Sequence, residues 1–355
     1  MRGINIIDKN KARIQKLAQY AKEYEEDIFL GIRENQIHLY VKGGSRFLRF
    51  CTNGDYAYIN SKYIYAKNGK LLIDGLKVEN RKSNTEAKIK IDYILENNML
   101  EKLKQKVEDY EKNTPEKEFK QKLIQEINTN SDYYAYDIEY RFNSKNKELN
   151  KKYTDSINGK NSQPDLMLIS KPVDNKVEIL FCEVKFGKKS FNGGPLGSGI
   201  VGHVGKFVNF INIANEYNEI KNDLLTEVKN IMSFYADKNR GLIKNKNFTN
   251  INYENIELKT GKDAIQFCFI LGGCDDEIES LFKNRLGLEG KDIKYNVKKL
   301  LNRKNYGETE NKDIEYYPKY EDMVDFKYMR YDSNDKIKFD LKKDGKKISK
   351  NDFKK

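Results

Sequence analysis

Apolar residues first recur at helical spacing, at Ile14, Leu17, Tyr20 and Ala21. They then give way to short alternating runs: IFLGI at 28–32, QIHLYV at 36–41, RFLRFC at 46–51 and DYAYIN at 55–60. A period of two predicts half-buried strands, with hairpin turns at Gly43-Gly44 and Asn53-Gly54. Residues 85–112 are highly charged and predict a helix linking this module to the next.

The rhythm changes at Pro115, which opens a helix with Phe119, Leu123, Ile124 and Ile127 on one face. YAYDIEYRF (134–142) predicts a strand, and the polar stretch 143–162 a loop. DLMLIS (165–170) and VEILFCEVKFG (177–187) predict two more strands. A Gly-rich segment (192–205) leads to a helical region over about 206–236. An apolar strand follows, AIQFCFIL (264–271), then a helix, DDEIESLFKNRL, and terminal strands in IEYYPKY and DFKYMRY. From Pro115 the order is helix, three strands, helix, strand. That order predicts an α/β core, a mixed central sheet covered by helices on both faces. Three parts result: an N-terminal α+β strand-rich recognition or partner module with its linking helix (1–112), the core (113–290), and C-terminal strands with a Lys-rich tail (291–355).

Composition narrows the function classes. The 355 residues carry 66 Lys+Arg against 54 Asp+Glu, a net of +12, which favours a polyanionic partner, with nucleic acid first. Residues 336–355 hold nine Lys and three Asp, so half of that excess sits in the tail. Bulk charge therefore says little about chemistry. Only two histidines (His38, His203) and four cysteines occur, and no two cysteines sit two apart. A zinc finger or a multi-histidine nuclease site cannot be assembled from these. Cys182 and Cys268 lie in apolar runs and read as reduced, buried thiols, which fits a reducing cytoplasm. MRGINIIDKNKAR lacks the apolar core of a signal peptide, and no run approaches the roughly 20 apolar residues of a membrane span.

The informative constellation lies on the two middle strands. Pro164-Asp165 starts one; Glu183-Val184-Lys185 ends the next. Alternation points Glu183 and Lys185 to the same face, where Asp165 on the adjoining strand can meet them. Two converging carboxylates repel each other unless a cation lies between them, and Mg²⁺ or Mn²⁺ suits such oxygen ligands. The Lys185 ammonium beside the ion could orient a water or offset charge on a phosphate, which is phosphodiester chemistry. The plainer reading is a structural ion pair on a strand. Against it stand the apolar neighbours of ILFCEVK, since unpaired burial of charge costs several kcal/mol.

Pro164-Asp165 followed by Glu183-x-Lys185 resembles the signature of the PD-(D/E)xK nuclease superfamily, the restriction-endonuclease-like fold. The resemblance covers about residues 115–275 and includes the order of elements. It implies that Asp165 and Glu183 bind metal, that the Val184 carbonyl assists, and that Lys185 is catalytic. It also implies an acidic residue on the first core helix: Glu118 is the first choice, Glu126 the second, and Glu139 on the first strand a third. The implied activity is Mg²⁺-dependent DNA cleavage, with a role in restriction or anti-phage defence. Lys188, Lys189, His203 and Lys206 flank the Gly-rich segment and could contact substrate. The implied partners are DNA, with RNA as the substrate alternative, and a second copy in a homodimer or a partner protein, with no membrane. A second class is a non-catalytic nucleic-acid-binding or regulatory subunit that keeps the fold.

Three other patterns compete. GSGIVG (197–202) is a literal G-x-G-x-x-G, but it does not join a first strand to a helix, and Phe207 breaks a P-loop reading of Gly205-Lys206. Arg33 and His38 have an R-x4-H spacing, yet His38 sits in a strand and reads as structural. SRFLRF and Tyr56, Tyr58, Tyr63 and Tyr65 interleave bases with aromatics, which suits either nucleic acid or ordinary half-buried strands.

Overall fold

The expected strands form in the first part of the chain; the strands Tyr56–Asn60 and Glu86–Lys90 alternate in burial, while the first two strands are buried at nearly every residue. The computed structural model of the protein describes residues 10–33, 35–41, 43–83, 85–111, 114–139, 163–186, 211, 214–261, 264–273 and 324–330. It is a mixed α/β structure, with a six-stranded antiparallel sheet, a five-stranded mixed sheet and a two-stranded parallel ribbon among the described residues, flanked by helices. Two compact units result: Met1–Gln125 with Thr226–Glu254, and Glu126–Leu225 with Asn255–Lys355. The first unit thus takes in most of the Pro115 helix and the second half of the later long helix, both expected within the core.

In the first unit, helix α1 (Lys11–Glu23) precedes strands β1 (Ile28–Arg33), β2 (Gln36–Val41), β3 (Ser45–Cys51) and β4 (Tyr56–Asn60). Helix α2 (Ser61–Ile64), strands β5 (Asn80–Ser83) and β6 (Glu86–Lys90), and helices α3 (Ile91–Glu96) and α4 (Met99–Tyr110) complete it. The sheet order is β1-β2-β3-β4-β6-β5, antiparallel throughout. Its apolar face carries Ile37, Leu39, Phe50, Ala57, Ile59, Ala87 and Ile89, all buried. Helix α1 packs on β1, α2 on β4, α3 on β6, and α4 on β2 and β3. Gly43 takes a left-handed conformation at the β2–β3 turn, and a Cβ there would lie 2.7 Å from the Lys117 carbonyl oxygen. His38 is buried between Tyr40 Oη (2.9 Å) and Gln36 Oε1 (3.0 Å), the structural role its strand position predicts.

One expectation fails here. Residues 85–112 are not a single helix: β6 is a strand, and Asn98, left-handed at φ 53°, separates α3 from α4. Ala87 and Ile89 alternate inward against β4, whereas Glu86, Lys88 and Lys90 face outward. Two inward apolar residues were enough to set a strand within a charged stretch, because β4 offered an edge to pair with.

Helix α5 (Pro115–Asn130) runs from the first unit into the second as a continuous element. It leads to β7 (Tyr133–Ile138), β8 (Leu166–Ser170), β9 (Lys176–Val177) and β10 (Ile179–Phe186). Helix α6 (Asn218–Ala236), β11 (Glu257–Leu258), β12 (Ile265–Gly273) and β13 (Val324–Arg330) follow. The second sheet has the order β13-β12-β10-β8-β7, antiparallel from β7 to β10 and parallel from β10 to β13. It is mixed, as the order of elements predicts. Strand β10 lies between β8 and β12, and it is buried from Ile179 to Lys185.

Asp174 and Asn175, both with positive φ, form the two-residue turn between β8 and β9. Val173 and Lys176 exchange backbone hydrogen bonds across it at 3.1 and 2.9 Å. Two consecutive left-handed residues are the signature of the type I′ hairpin turn, whose twist matches the strands it joins. The pairing then slips by one residue before β8 and β10, where Ile169 lies opposite Ile179 and Leu166 opposite Cys182.

Candidate active site

The paired register ends at Leu166–Cys182, and Asp165 directly precedes Leu166. Glu183 and Lys185, two apart on β10, share a face.

Each side chain is held by a named contact. Asp165 Oδ2 accepts the Val184 backbone N–H at 2.8 Å, while the Asp165 carbonyl accepts the Glu139 N–H at 3.0 Å. Lys185 Nζ donates to Glu183 Oε1 at 2.6 Å, and the two side chains are only 9% and 4% exposed. Charges this deep in a sheet need each other: desolvation costs several kcal/mol per ion, and a short, direct hydrogen bond offsets it.

A further acid shares this face. Asp137 on β7 is opposite Met167, which is opposite Phe181, so Asp137 has the facing of Glu183. It is fully buried, and its Oδ1 accepts the Ile138 N–H at 2.8 Å. A register shift between Ala135 and Asp137 turns the strand so that it faces this way. Sequence reading missed it, although the available signal was the one that marked Glu183: an acid enclosed by apolar residues, Tyr136 and Ile138. Glu139 directly follows β7 and adopts φ 50°, a left-handed conformation that ends the strand.

Glu118 belongs to the first unit, where it pairs with Lys122 at 3.2 Å. Glu126 belongs to the second unit, and its Oε2 accepts a hydrogen bond from Asn130 at 3.1 Å. Lys188, Lys189, His203 and Lys206 lie outside the described residues, as do GSGIVG, the helix expected at 275–286 and the basic tail.

The opposite face of the sheet is thiol-lined. Cys182 and Cys268 are partners across β10 and β12, and both are buried. Burial pushes the Cys182 thiol well up; the hydrogen bond to Cys268 and the charges of Asp165 and Glu183 push the same way. Such a thiol is a poor nucleophile. Toward the other end of β10, Glu178 accepts Lys259 Nζ at 2.6 Å and the Tyr133 hydroxyl. Burial and Glu178 push the Tyr133 phenol up, so it stays protonated as a donor.

Among the described residues no group of three or more His, Cys, Asp or Glu is placed to hold a metal ion. Asp165 and Glu183 still form a hard, all-oxygen pair, the donor chemistry that suits Mg²⁺ or Mn²⁺. Among the described residues no helix is long and apolar enough to cross a membrane. Comparison with protein-family models, with curated proteins and with solved structures finds no match.

Proposed function

We propose that the protein is a metal-dependent nuclease that hydrolyses phosphodiester bonds of DNA on a restriction-endonuclease-like core. The observation that carries this reading is the buried Glu183–Lys185 pair at 2.6 Å, with the Asp165 carboxylate held on the Val184 N–H between them. The order α5, β7, β8, β10, α6, β12 supports the fold assignment, as does the change from antiparallel to parallel pairing at β10.

In this reading Asp165 and Glu183 hold Mg²⁺ or Mn²⁺, which when bound supplies Lewis acidity toward the phosphate and the attacking water. The Val184 N–H fixes the orientation of the Asp165 carboxylate. Lys185 orients the attacking water, and its ammonium offsets the charge that builds on the phosphate. Glu183 keeps that ammonium in place through the 2.6 Å bond. Glu118 belongs to the proposal as the assisting carboxylate; Lys188, Lys189, His203 and Lys206 belong to it as substrate contacts. A symmetric dimer would supply two sites for the two strands.

The test is incubation of plasmid and linear DNA with the purified chain, with Mg²⁺ or Mn²⁺ and with chelator. Cleavage that requires the divalent ion and disappears in Glu183→Ala and Lys185→Ala is expected. Undiminished cutting by either variant defeats the site assignment. The tight Glu183–Lys185 pair favours a second reading, a nucleic-acid-binding or regulatory subunit that keeps the fold without catalysis. Salt-sensitive binding without cleavage under any divalent ion identifies that case.

A further inference from the structure

The polar face of the first unit's sheet is organised as basic and aromatic side chains. Arg46 and Arg49 are three residues apart, a spacing that in a regular strand sends side chains to opposite faces. The register shift between β2 and β3 changes this. Leu39 pairs with Leu48 but Tyr40 pairs with Arg46, so Phe47 is the extra residue, and both arginines emerge on the polar face. Their common facing is confirmed by Glu86, which accepts Arg46 Nη2 at 2.9 Å on one oxygen and Arg49 Nη2 at 2.6 Å on the other.

Two tyrosines on β4 share this face. Tyr58 is the register partner of both Arg49 and Lys88, and the Arg49 guanidinium lies 4.3 Å from the Tyr58 ring centroid. Tyr56 is the partner of Lys90, and Lys88 Nζ lies 3.8 Å from the Tyr56 ring centroid. Across β3 and β6 this face carries four cations; Glu86 binds Arg46 and Arg49, and Glu79 lies 3.8 Å from Lys90. The Arg46 side chain is 36% exposed and that of Lys90 59%. Phe29, His38 and Tyr40, by contrast, are buried at the β1–β2 side. The accessible part therefore lies over β3, β4 and β6.

We propose that this face binds single-stranded DNA, with its bases stacked on the Tyr58–Arg49 and Tyr56 planes and its phosphates on Arg46, Lys88 and Lys90. Charge complementarity selects a polyanion. The interleaved rings select one whose bases are unpaired, since stacking on side chains needs an accessible base face. Tyr56 and Tyr58 are about 7 Å apart along their strand, enough to present the two rings separately. The choice of DNA over RNA rests on the reading of the second unit as a DNA nuclease; the stacking and phosphate contacts do not.

The experiment measures fluorescence anisotropy of a labelled DNA strand of about 20 nucleotides, longer than the roughly 4–16 that one such fold covers. It uses the full chain in chelator, so that cleavage is silent. Matched RNA and duplex DNA compete in parallel. Lys88→Gln/Lys90→Gln, on the outer face of a surface strand, is the variant least able to disturb folding. It should bind roughly tenfold or more weakly and lower the slope of log affinity against log salt by about 1.4, at about 0.7 per phosphate contact on single strands. Tyr58→Ala should weaken binding roughly tenfold, with Tyr58→Phe restoring it, because stacking needs the ring and not the hydroxyl. Parent-like binding by the lysine variant overturns the proposal, and so does tighter binding of duplex or RNA. A chain that binds but never cuts refutes the nuclease reading alone. A chain that cuts, yet binds equally after the lysine changes, refutes this one alone.

Discussion

Lys185 Nζ donates to Glu183 Oε1 at 2.6 Å from within a strand that is buried from Ile179 to Lys185. Both charges are withdrawn from bulk water, so each loses a close charged partner when the other is removed. Glu183→Ala or Lys185→Met alone should destabilise the second unit by about 3–5 kcal/mol, the cost of stranding one buried charge. The double variant should recover much of that loss. Urea unfolding of the three variants measures it; additive losses would show that the two side chains do not act as a pair.

Asp165 separates structure from charge. Asn at this position keeps an oxygen for the Val184 N–H, so Asp165→Asn should unfold close to the parent midpoint and still lose cleavage. Asp165→Ala leaves that N–H without its acceptor and should cost about 1.5–3 kcal/mol as well. Denaturation midpoints set beside plasmid-nicking rates distinguish the two variants.

Asp137 tests the breadth of the site. It shares the facing of Glu183, and Asn keeps the bond that it accepts from the Ile138 N–H. Asp137→Asn should lower cleavage roughly 10–100-fold, the usual effect of removing a carboxylate that supports a metal site. Initial nicking rates over a range of Mg²⁺ concentrations are the readout, and a parent-like curve removes Asp137 from the site.

Acid should weaken the first unit in two steps. Burial, and then the cations Arg33, Arg46 and Arg49, hold His38 well below the usual histidine value. The unfolded chain takes up a proton near pH 6.5 that folded His38 refuses, so stability falls as pH drops below about 6.5. Glu111 works in the lower range. Burial raises it, but the hydrogen bonds from Lys117, Lys62 and Tyr63 prevail and bring it down to about 2. Its contribution is present above about pH 4.3, the unfolded value, and is lost as pH falls toward about 2. His38→Gln should flatten the first step and leave the second. Urea midpoints at pH 7, 5 and 3 are the measurement.

The turn at Asp174-Asn175 carries a local conformational cost. Asn175, at φ 60°, should accept Gly readily. Val there should cost about 1–2 kcal/mol, the left-handed penalty of an ordinary residue. Urea midpoints of Asn175→Gly and Asn175→Val are the measurement.

The candidate site was legible in sequence because its strands are nearly pure apolar runs, in which Asp165, Glu183 and Lys185 stand out. Asp137 was hidden by composition: in YAYDIEYRF the tyrosines look amphipathic, and nothing in the spacing announces a register shift. The same blindness affected β3, where Arg46 and Arg49 read as opposite-facing until Phe47 bulges. Strand β6 was obscured differently. Its charges resemble an exposed helix, and only pairing with β4 reveals Ala87 and Ile89 as an inward row. Local pattern registers what a side chain prefers, whereas bulges and edge pairing depend on the neighbouring strand.

The buried Cys182–Cys268 pair makes the second unit report on its own opening. Both thiols are enclosed, and Cys182 is also held protonated, so an alkylating probe reaches them only during excursions that expose β10 and β12. Cys51, partly exposed on β3, belongs to the first unit and keeps a separate clock. Timed alkylation followed by peptide mapping would give each half of the chain its own opening rate. The chain thus carries, without any added label, a means to ask whether its two units breathe together or apart.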